Sequence, residues 1–318
     1  MMARVTSAAS YGFDGKLIEV ECDSTKGLPA FQIVGLGDKA ITEARERVKS
    51  AITNSHLNYP AKRLTVNLAP ANLPKDGAHF DLPIALAILI ASGQLKQSAV
   101  DGILSAGELS LSGELRPIRG IINITETAKQ SGLSTVIVPA GNAAQAAMVK
   151  GVTVLAANNL AEVYLHLVGE KRLPVVEASS SPKAPRSTVD LADIRGQQTA
   201  KRALVIAAAG HHNLLLDGPP GAGKTMLARV LISLLPEPTY DERLEITKLH
   251  SLSGESLDEI VAERPFRSPH HTSSTISLIG GGAKPQPGEV SLAHHGVMFM
   301  DEIPEYSRSS LEALRQPL

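Results

Sequence analysis

The chain has 318 residues, 31 Lys+Arg against 32 Asp+Glu, a net charge of −1 and 43% hydrophobic residues. That is long enough for two domains with separate cores, and too evenly charged for bulk electrostatics to announce a nucleic-acid binder. A single cysteine, Cys22, excludes an intrachain disulfide, and the longest apolar run (82–91) falls short of the roughly 20 residues a bilayer span needs. No secretory signal opens the sequence, so the expected setting is the cytoplasm, without membrane contact.

In chain order, "LIEVECD" (17–23) predicts a strand entered through a turn at Asp14-Gly15, and "AFQIVGL" (30–36) predicts another. Residues 40–55 space Ile41, Ala44, Val48 and Ile52 three or four apart, the mark of an amphipathic helix. "RLTVNLA" (63–69) is a strand. "DLPIALAILIAS" (81–92) is apolar all round, hence a buried helix, with Pro83 tolerated in its first turn. Residues 103–118 read as a hairpin turning at Ser112-Gly113. A helix, a strand at 135–140, a further helix and a strand at 152–157 complete a mixed α/β domain over 1–169. Gly35-Leu36-Gly37-Asp38 lacks the third glycine of a dinucleotide loop and reads as a strand-to-helix turn.

The stretch "EKRLPVVEASSSPKAPRSTVD" is rich in Ser, Pro and charge and cannot bury a face, so 170–189 is expected to be a linker. A second domain follows from 190. Within it "NLLLDGPPGAGKTMLARVLISLL" predicts a strand, a glycine loop and a helix. Gly218, Pro219, Pro220, Gly221, Ala222, Gly223, Lys224 and Thr225 satisfy G-x-x-x-x-G-K-[ST] without a substitution. The glycines let backbone N–H groups curl around phosphate oxygens, the helix N-terminus adds favourable potential, Lys224 reaches the outer phosphates, and the Thr225 hydroxyl is a magnesium ligand. Asp301 and Glu302 end a second apolar strand, "VMFM" (297–300). In that place an Asp holds the magnesium shell and an adjacent Glu polarises the attacking water. The expected cofactors are ATP and Mg2+, with Glu302 catalytic, 218–225 binding ATP, and Thr225 and Asp301 on the metal.

"DIRGQ" (193–197), the glycine loop, "FRSPHHTSS" (266–274), "IGGG" (279–282) and "VMFMDE" together resemble the magnesium-chelatase-like AAA+ ATPases, and the N-terminal half makes the resemblance specific to the ComM/YifB type. The resemblance runs over essentially the whole chain. It implies that the segment near "DIRGQ" lies by the adenine, that the working form is a homo-hexameric ring, and that the partner is DNA, moved by a branch-migration motor in recombination or natural transformation. It also implies a further strand with a polar sensor, an arginine from a neighbouring subunit and a helical lid, none of which is found before Leu318. Residues 190–318 are thus expected to form the N-terminal part of a P-loop AAA+ α/β domain, with ATP turnover impaired. The other readings are a chelatase-type ATPase remodelling a metal-insertion complex and a nucleotide-binding adaptor without turnover.

"PKDGAHFDLPIALAIL" (74–89) and the stretch 105–139 resemble the proteolytic domain of Lon proteases, which implies an α+β fold of the ribosomal S5 domain 2-like type. Where that family carries a nucleophilic serine this chain has Ala78-His79, and Ile122 stands where the general-base lysine belongs. An isoleucine takes no proton, so no protease activity is expected. Three histidine pairs, 211–212, 270–271 and 294–295, invite a metal reading. No Cys and no repeated carboxylate joins them at ligand spacing, so a structural role is expected for each. Aromatics at 3% and no Trp argue against base stacking, so DNA contact is expected through backbone charges and should weaken steeply with salt.

Overall fold

The computed structural model describes residues 2–35, 37–177, 190–282 and 285–316. It divides into one unit of Met1–Ser180 with Gly254–Glu259 and a second of Ser181–Ser253 with Ile260–Leu318.

The first unit opens on a strand that periodicity does not reveal. β1 (Met2–Tyr11) pairs antiparallel with β2 (Asp14–Thr25) in an unbroken register from Met2↔Asp23 to Tyr11↔Asp14. The turn therefore lies at residues 12–13, not at the expected Asp14-Gly15, and Gly12 takes the positive φ of +61° that the tight turn needs. Gly15 is glycine for another reason: a Cβ there would sit 1.9 Å from Thr127 Oγ1. β1 escapes detection because its Ala and Ser residues carry almost no hydropathy contrast, although Ala3, Val5, Ala8 and Ala9 are buried.

β3 (Ala30–Val34), α1 (Lys39–Asn54) and β4 (Arg63–Ala69) fall where the pattern places them. The buried face of α1 is Ile41, Ala44, Val48, Ala51 and Ile52, the predicted stripe with one added alanine, and Asp38 caps its start by accepting from the Ile41 N–H at 3.1 Å. Of the glycine pair before it, Gly37 bridges to Lys75. Gly35 has φ +110° and a Cβ on it would lie 2.4 Å from Leu68 O, so no nucleotide role is needed to explain it. α2 (Asp81–Ala91) has every residue buried. It packs on α1 and on the β1–β2 ribbon, where each Leu or Ile contributes roughly 1.5–3 kcal/mol.

β5 (Ile103–Ser105) leaves for the main sheet, and the expected hairpin shrinks to β6 (Glu108–Leu109) and β7 (Leu115–Arg116), turning around Ser112-Gly113. α3 (Ile121–Gln130), β8 (Thr135–Pro139), α4 (Ala143–Ala146), β9 (Thr153–Ala157) and α5 (Leu160–Leu167) follow. β10 (Val175–Val176), inside the stretch read as linker, pairs antiparallel with β9. Residues 178–189 lie outside those described. The result is one eight-stranded sheet in the order β10-β9-β8-β5-β1-β2-β4-β3. Neighbours run parallel at β9-β8, β8-β5, β5-β1 and β4-β3 and antiparallel elsewhere.

The second unit contains α6 (Gln198–Gly210), α7 (Lys224–Leu234), α8 (Tyr240–Ser253), β11 (Phe266–Arg267), α9 (Thr275–Ile279), β12 (Gly280–Gly281), β13 (Gln286–Pro287), α10 (Glu289–Leu292), β14 (Val297–Met298) and α11 (Arg308–Ala313). A small core of Ile194, Leu204, Leu227 and Val230 joins α6 to α7. β11 and β14 form a parallel pair, and β12 and β13 an antiparallel one. The strand expected before the glycine loop does not form: residues 213–217 pair with no strand among the described residues, and Leu215 is 77% exposed. An apolar run makes a strand only when a neighbour completes its ladder, and 213–217 meets none among the described residues. No helix among the described residues is long and apolar enough to cross a membrane.

Candidate functional site

The glycine loop turns into α7 at Lys224. Gly221 and Gly223 hold φ of +80° and +85° with open space where a Cβ would stand, so the backbone can curl around a ligand that a side chain would block. Lys224 Nζ donates to the carbonyls of Gly218 at 2.8 Å and Pro219 at 3.1 Å, which holds its ammonium over the loop. Gln197 Nε2 reaches the Ala222 carbonyl at 3.5 Å, tying the end of "DIRGQ" to the loop's outer turn. Sequence spacing gives no reason to expect that last contact.

The acidic pair is delivered by β14. Val297 N–H donates to Pro265 O and Phe299 N–H to Arg267 O, both at 2.8 Å, so the strand is fixed against β11 on either side of its two paired residues. Phe266 and Phe299 stack with centroids 6.1 Å apart. The Arg267 guanidinium, bonded to Glu289 at 2.6 and 2.9 Å, ties β11 to α10. Gly296 allows the approach, since a Cβ there would lie 2.0 Å from Pro265 O. Asp301 thereby comes to Thr225: the hydroxyl donates to Asp301 Oδ2 at 3.5 Å across 76 positions of sequence. Glu302 stands next to it with a left-handed φ of +50° and a side chain 69% exposed, and His271 Nδ1 lies 4.0 Å from its carboxylate.

These observations bear on whether nucleotide and magnesium fit. A threonine hydroxyl and an aspartate oxygen converging beside an open glycine cradle make a hard, oxygen-rich donor set of the kind that magnesium takes with a phosphate. The residues present suit Mg2+ and ATP.

The histidine pairs separate in role. His211, at φ +51°, ends α6, and the His212 N–H returns to Ala207 O at 3.0 Å, so this pair is a helix stop. His270 Nδ1 meets Thr272 Oγ1 at 2.9 Å in the loop beside Glu302. The third pair finds a carboxylate that sequence spacing conceals: both Nε2 atoms donate to Glu245 Oε2 of α8, His294 at 3.1 Å and His295 at 2.7 Å. Those bonds, the one from His295 first, pull the Glu245 pKa below the ordinary carboxylate range.

In the first unit the positions where the Lon resemblance puts a serine and a lysine hold His79 and Ile122. Ile122 is fully buried in α3. His79 Nε2 donates to the Ala8 carbonyl at 3.1 Å. Desolvation lowers its pKa to about 4, against the pull of Asp76, of the Ala8 carbonyl and of Asp38, so it rests as a neutral structural histidine. Lys75, 1% exposed, gives its ammonium to the Pro70 carbonyl, and burial lowers its pKa. Asp81 is fully buried and held by Arg47 at 2.7 and 3.0 Å, and Leu109 N–H adds a third bond. Burial still pushes Asp81 up to about 6.

Comparison with known proteins supplies the relatives. The family described as "Magnesium chelatase, subunit ChlI" matches residues 190–318, and that described as "Subunit ChlI of Mg-chelatase" matches 20–142. The competence protein ComM of Haemophilus influenzae is 47% identical over 100% of this chain and 63% of its own length. The YifB protein of Escherichia coli is 45% identical over 99% of this chain and 62% of its own. A Lon protease of Paraburkholderia phytofirmans is 29% identical over 55% of this chain and 22% of its own length. The chain spans about 63% of the length of the ComM and YifB relatives.

Proposed function

Because the chain belongs to the magnesium-chelatase-like proteins of the ComM/YifB type, we propose that its second unit binds ATP with Mg2+ and belongs to an ATP-hydrolysing motor that acts on DNA. The observation that carries the first step is the meeting of Thr225 Oγ1 and Asp301 Oδ2 at 3.5 Å beside the open loop. In this reading the backbone N–H groups of 221–225 receive the phosphates, Pro219 and Pro220 having none to give, and Lys224 turns from the loop carbonyls to the outer phosphates. Thr225 and Asp301 hold the cation, which supplies neutralisation of the phosphate charge. Glu302 would orient a water and accept its proton as the water's bond to the γ-phosphorus forms and the bond from that phosphorus to the bridging oxygen breaks, releasing ADP and phosphate. The exposure of Glu302 leaves room for that water.

The name of the Haemophilus relative, a competence protein, supports DNA as the substrate. The specific reading is branch migration driven by a homo-hexameric ring. Its test is ATP turnover measured with four-way junctions, with linear duplex and with no DNA, at rising salt. Stimulation by junctions that fades steeply with salt is the expected result, because phosphate neutralisation drives such binding. Turnover indifferent to DNA but raised by a porphyrin-bearing partner would replace the motor with the chelatase-type role that the family description names. Nucleotide binding with no turnover under any condition would leave an adaptor. The first unit is proposed to act as a scaffold or binding module, since the serine–lysine pair of the Lon-like site is replaced by His79 and Ile122.

A further inference from the structure

The cluster on α8 uses none of the ATP-site residues and has the makings of a site of its own. Glu245 Oε2, His294 Nε2 and His295 Nε2 are donor atoms that all lie within 4.8 Å of one another. Two imidazoles and one carboxylate converging on a point are a borderline-soft set, suited to zinc or a similar first-row ion rather than to magnesium. The side chains are open to solvent: Glu245 and His294 are 48% exposed and His295 27%. An ion can therefore enter and keep a water in its fourth position.

A second, independent feature points the same way. His295 turns its other nitrogen, Nδ1, toward Glu242 Oε1 at 3.6 Å. Glu242 is itself fixed by Arg264, whose Nη2 reaches both of its oxygens at 3.2 and 3.1 Å. Arg264 Nη1 donates to the His295 carbonyl at 2.8 Å. A metal-bound histidine usually gives its far N–H to an outer carboxylate, which sets the tautomer and the ring plane, and here that carboxylate and its anchor are already in place. His295 also holds φ +58°, so the backbone is committed to presenting both rings on one side, with centroids 3.9 Å apart.

We propose that Glu245, His294 and His295 form a transition-metal site built from two histidines and one carboxylate, with Glu242 as the outer partner of His295. The ion takes the place of the two Nε2 protons now shared with Glu245. It joins the middle of α8 to the turn that feeds β14, two residues before Val297, and so braces the strand that carries Asp301 and Glu302.

The test needs no nucleotide. The 318-residue chain is titrated with Zn2+ by calorimetry and with Co2+ by visible absorption, in buffer free of other chelators. One ion per chain is expected, with a Co2+ d–d spectrum of four or five coordination. His294→Ala, His295→Ala and Glu245→Gln should each weaken binding by about 10-fold or more, and Glu242→Gln by about 10-fold, the scale of an outer-shell loss. The paired variant His270→Ala/His271→Ala should leave it unchanged. Circular dichroism of each variant confirms folding, and Glu245→Gln, which keeps the side-chain shape, carries the test should an alanine variant unfold. No stoichiometric binding, binding indifferent to residues 245, 294 and 295, or loss of binding in the 270–271 variant would each overturn the proposal.

Discussion

The two units spend their residues differently. The first puts eight strands into one sheet and shields a fully buried helix with it, its buried Asp81 paired with Arg47 and its buried Lys75 held by a carbonyl. The second has two-residue strands in separate pairs, a core of four buried residues joining α6 to α7, and exposed apolar side chains such as Val205, Ile206 and Leu215. Yet the second unit carries the glycine loop, the acidic pair and the histidine cluster, while the first has His79 and Ile122 where the Lon resemblance puts a serine and a lysine. The dense core and the proposed nucleotide site thus fall on different stretches of one chain.

That contrast can be broken by substitution, and the largest effects should fall in the second unit on function alone. Glu302→Gln is expected to cut ATP turnover by about 10²- to 10⁴-fold, the range of a general base, while nucleotide affinity holds. Equal loss of affinity and turnover would assign Glu302 to binding instead. Lys224→Ala should weaken ATP binding and turnover by roughly 10²-fold or more without moving the thermal transition of the first unit. Leu86→Ala, in the middle of α2, should do the reverse: a loss of about 2–5 kcal/mol in urea unfolding, with residual nucleotide binding by the folded fraction unchanged.

A smaller effect comes from pH. His79 has a folded pKa of about 4, below its unfolded value near 6.5, so the unfolded chain binds more protons between those values. Its contribution to stability is complete above pH 6.5 and declines as pH falls toward 4. Allowing for its partial exposure, acidification from about pH 7 to about pH 5 should cost on the order of 1 kcal/mol. Thermal melts of the parent and of His79→Asn at both pH values measure this, and the variant should show a flatter profile. Smallest of all, Asp38→Ala removes the cap of α1 and should cost about 1 kcal/mol, seen as a modest fall in melting temperature with no effect on ATP binding.

Much of the first unit was legible because its helices and inner strands announce their period. The stripe of Ile41, Ala44, Val48 and Ile52 and the unbroken apolar run of α2 translate directly into buried faces. β1 was not legible, since a strand of Ala and Ser is recognised by its partner's register rather than by its own contrast. In the second unit the motif at 218–225 is where the sequence points to nucleotide chemistry, and the fold brings Asp301 to within 3.5 Å of Thr225, a proximity that 76 positions of separation do not announce. The expected strand at 213–217 failed for the opposite reason: its composition is right, but composition does not supply a neighbour. Glu245 could not be found from sequence at all. It stands 49 residues before His294, and only the fold of α8 against the turn ahead of β14 brings them together.

Gly15 shows how far geometry alone can dictate heredity. It has no ligand, no charge and no unusual backbone angle, yet any replacement would drive a Cβ to within 1.9 Å of Thr127 Oγ1 and 2.9 Å of the Asn123 carbonyl. In a survey of tolerated mutations it would therefore rank beside Lys224, one silenced by crowding and the other by chemistry. Intolerance to change counts the constraints on a position without saying what kind they are. Thr127→Ala would lift only the closest of these contacts and leave the 2.9 Å approach to the Asn123 carbonyl, so Gly15→Ala should be relieved in part by that change, whereas a substitution at Lys224 should not be relieved at all.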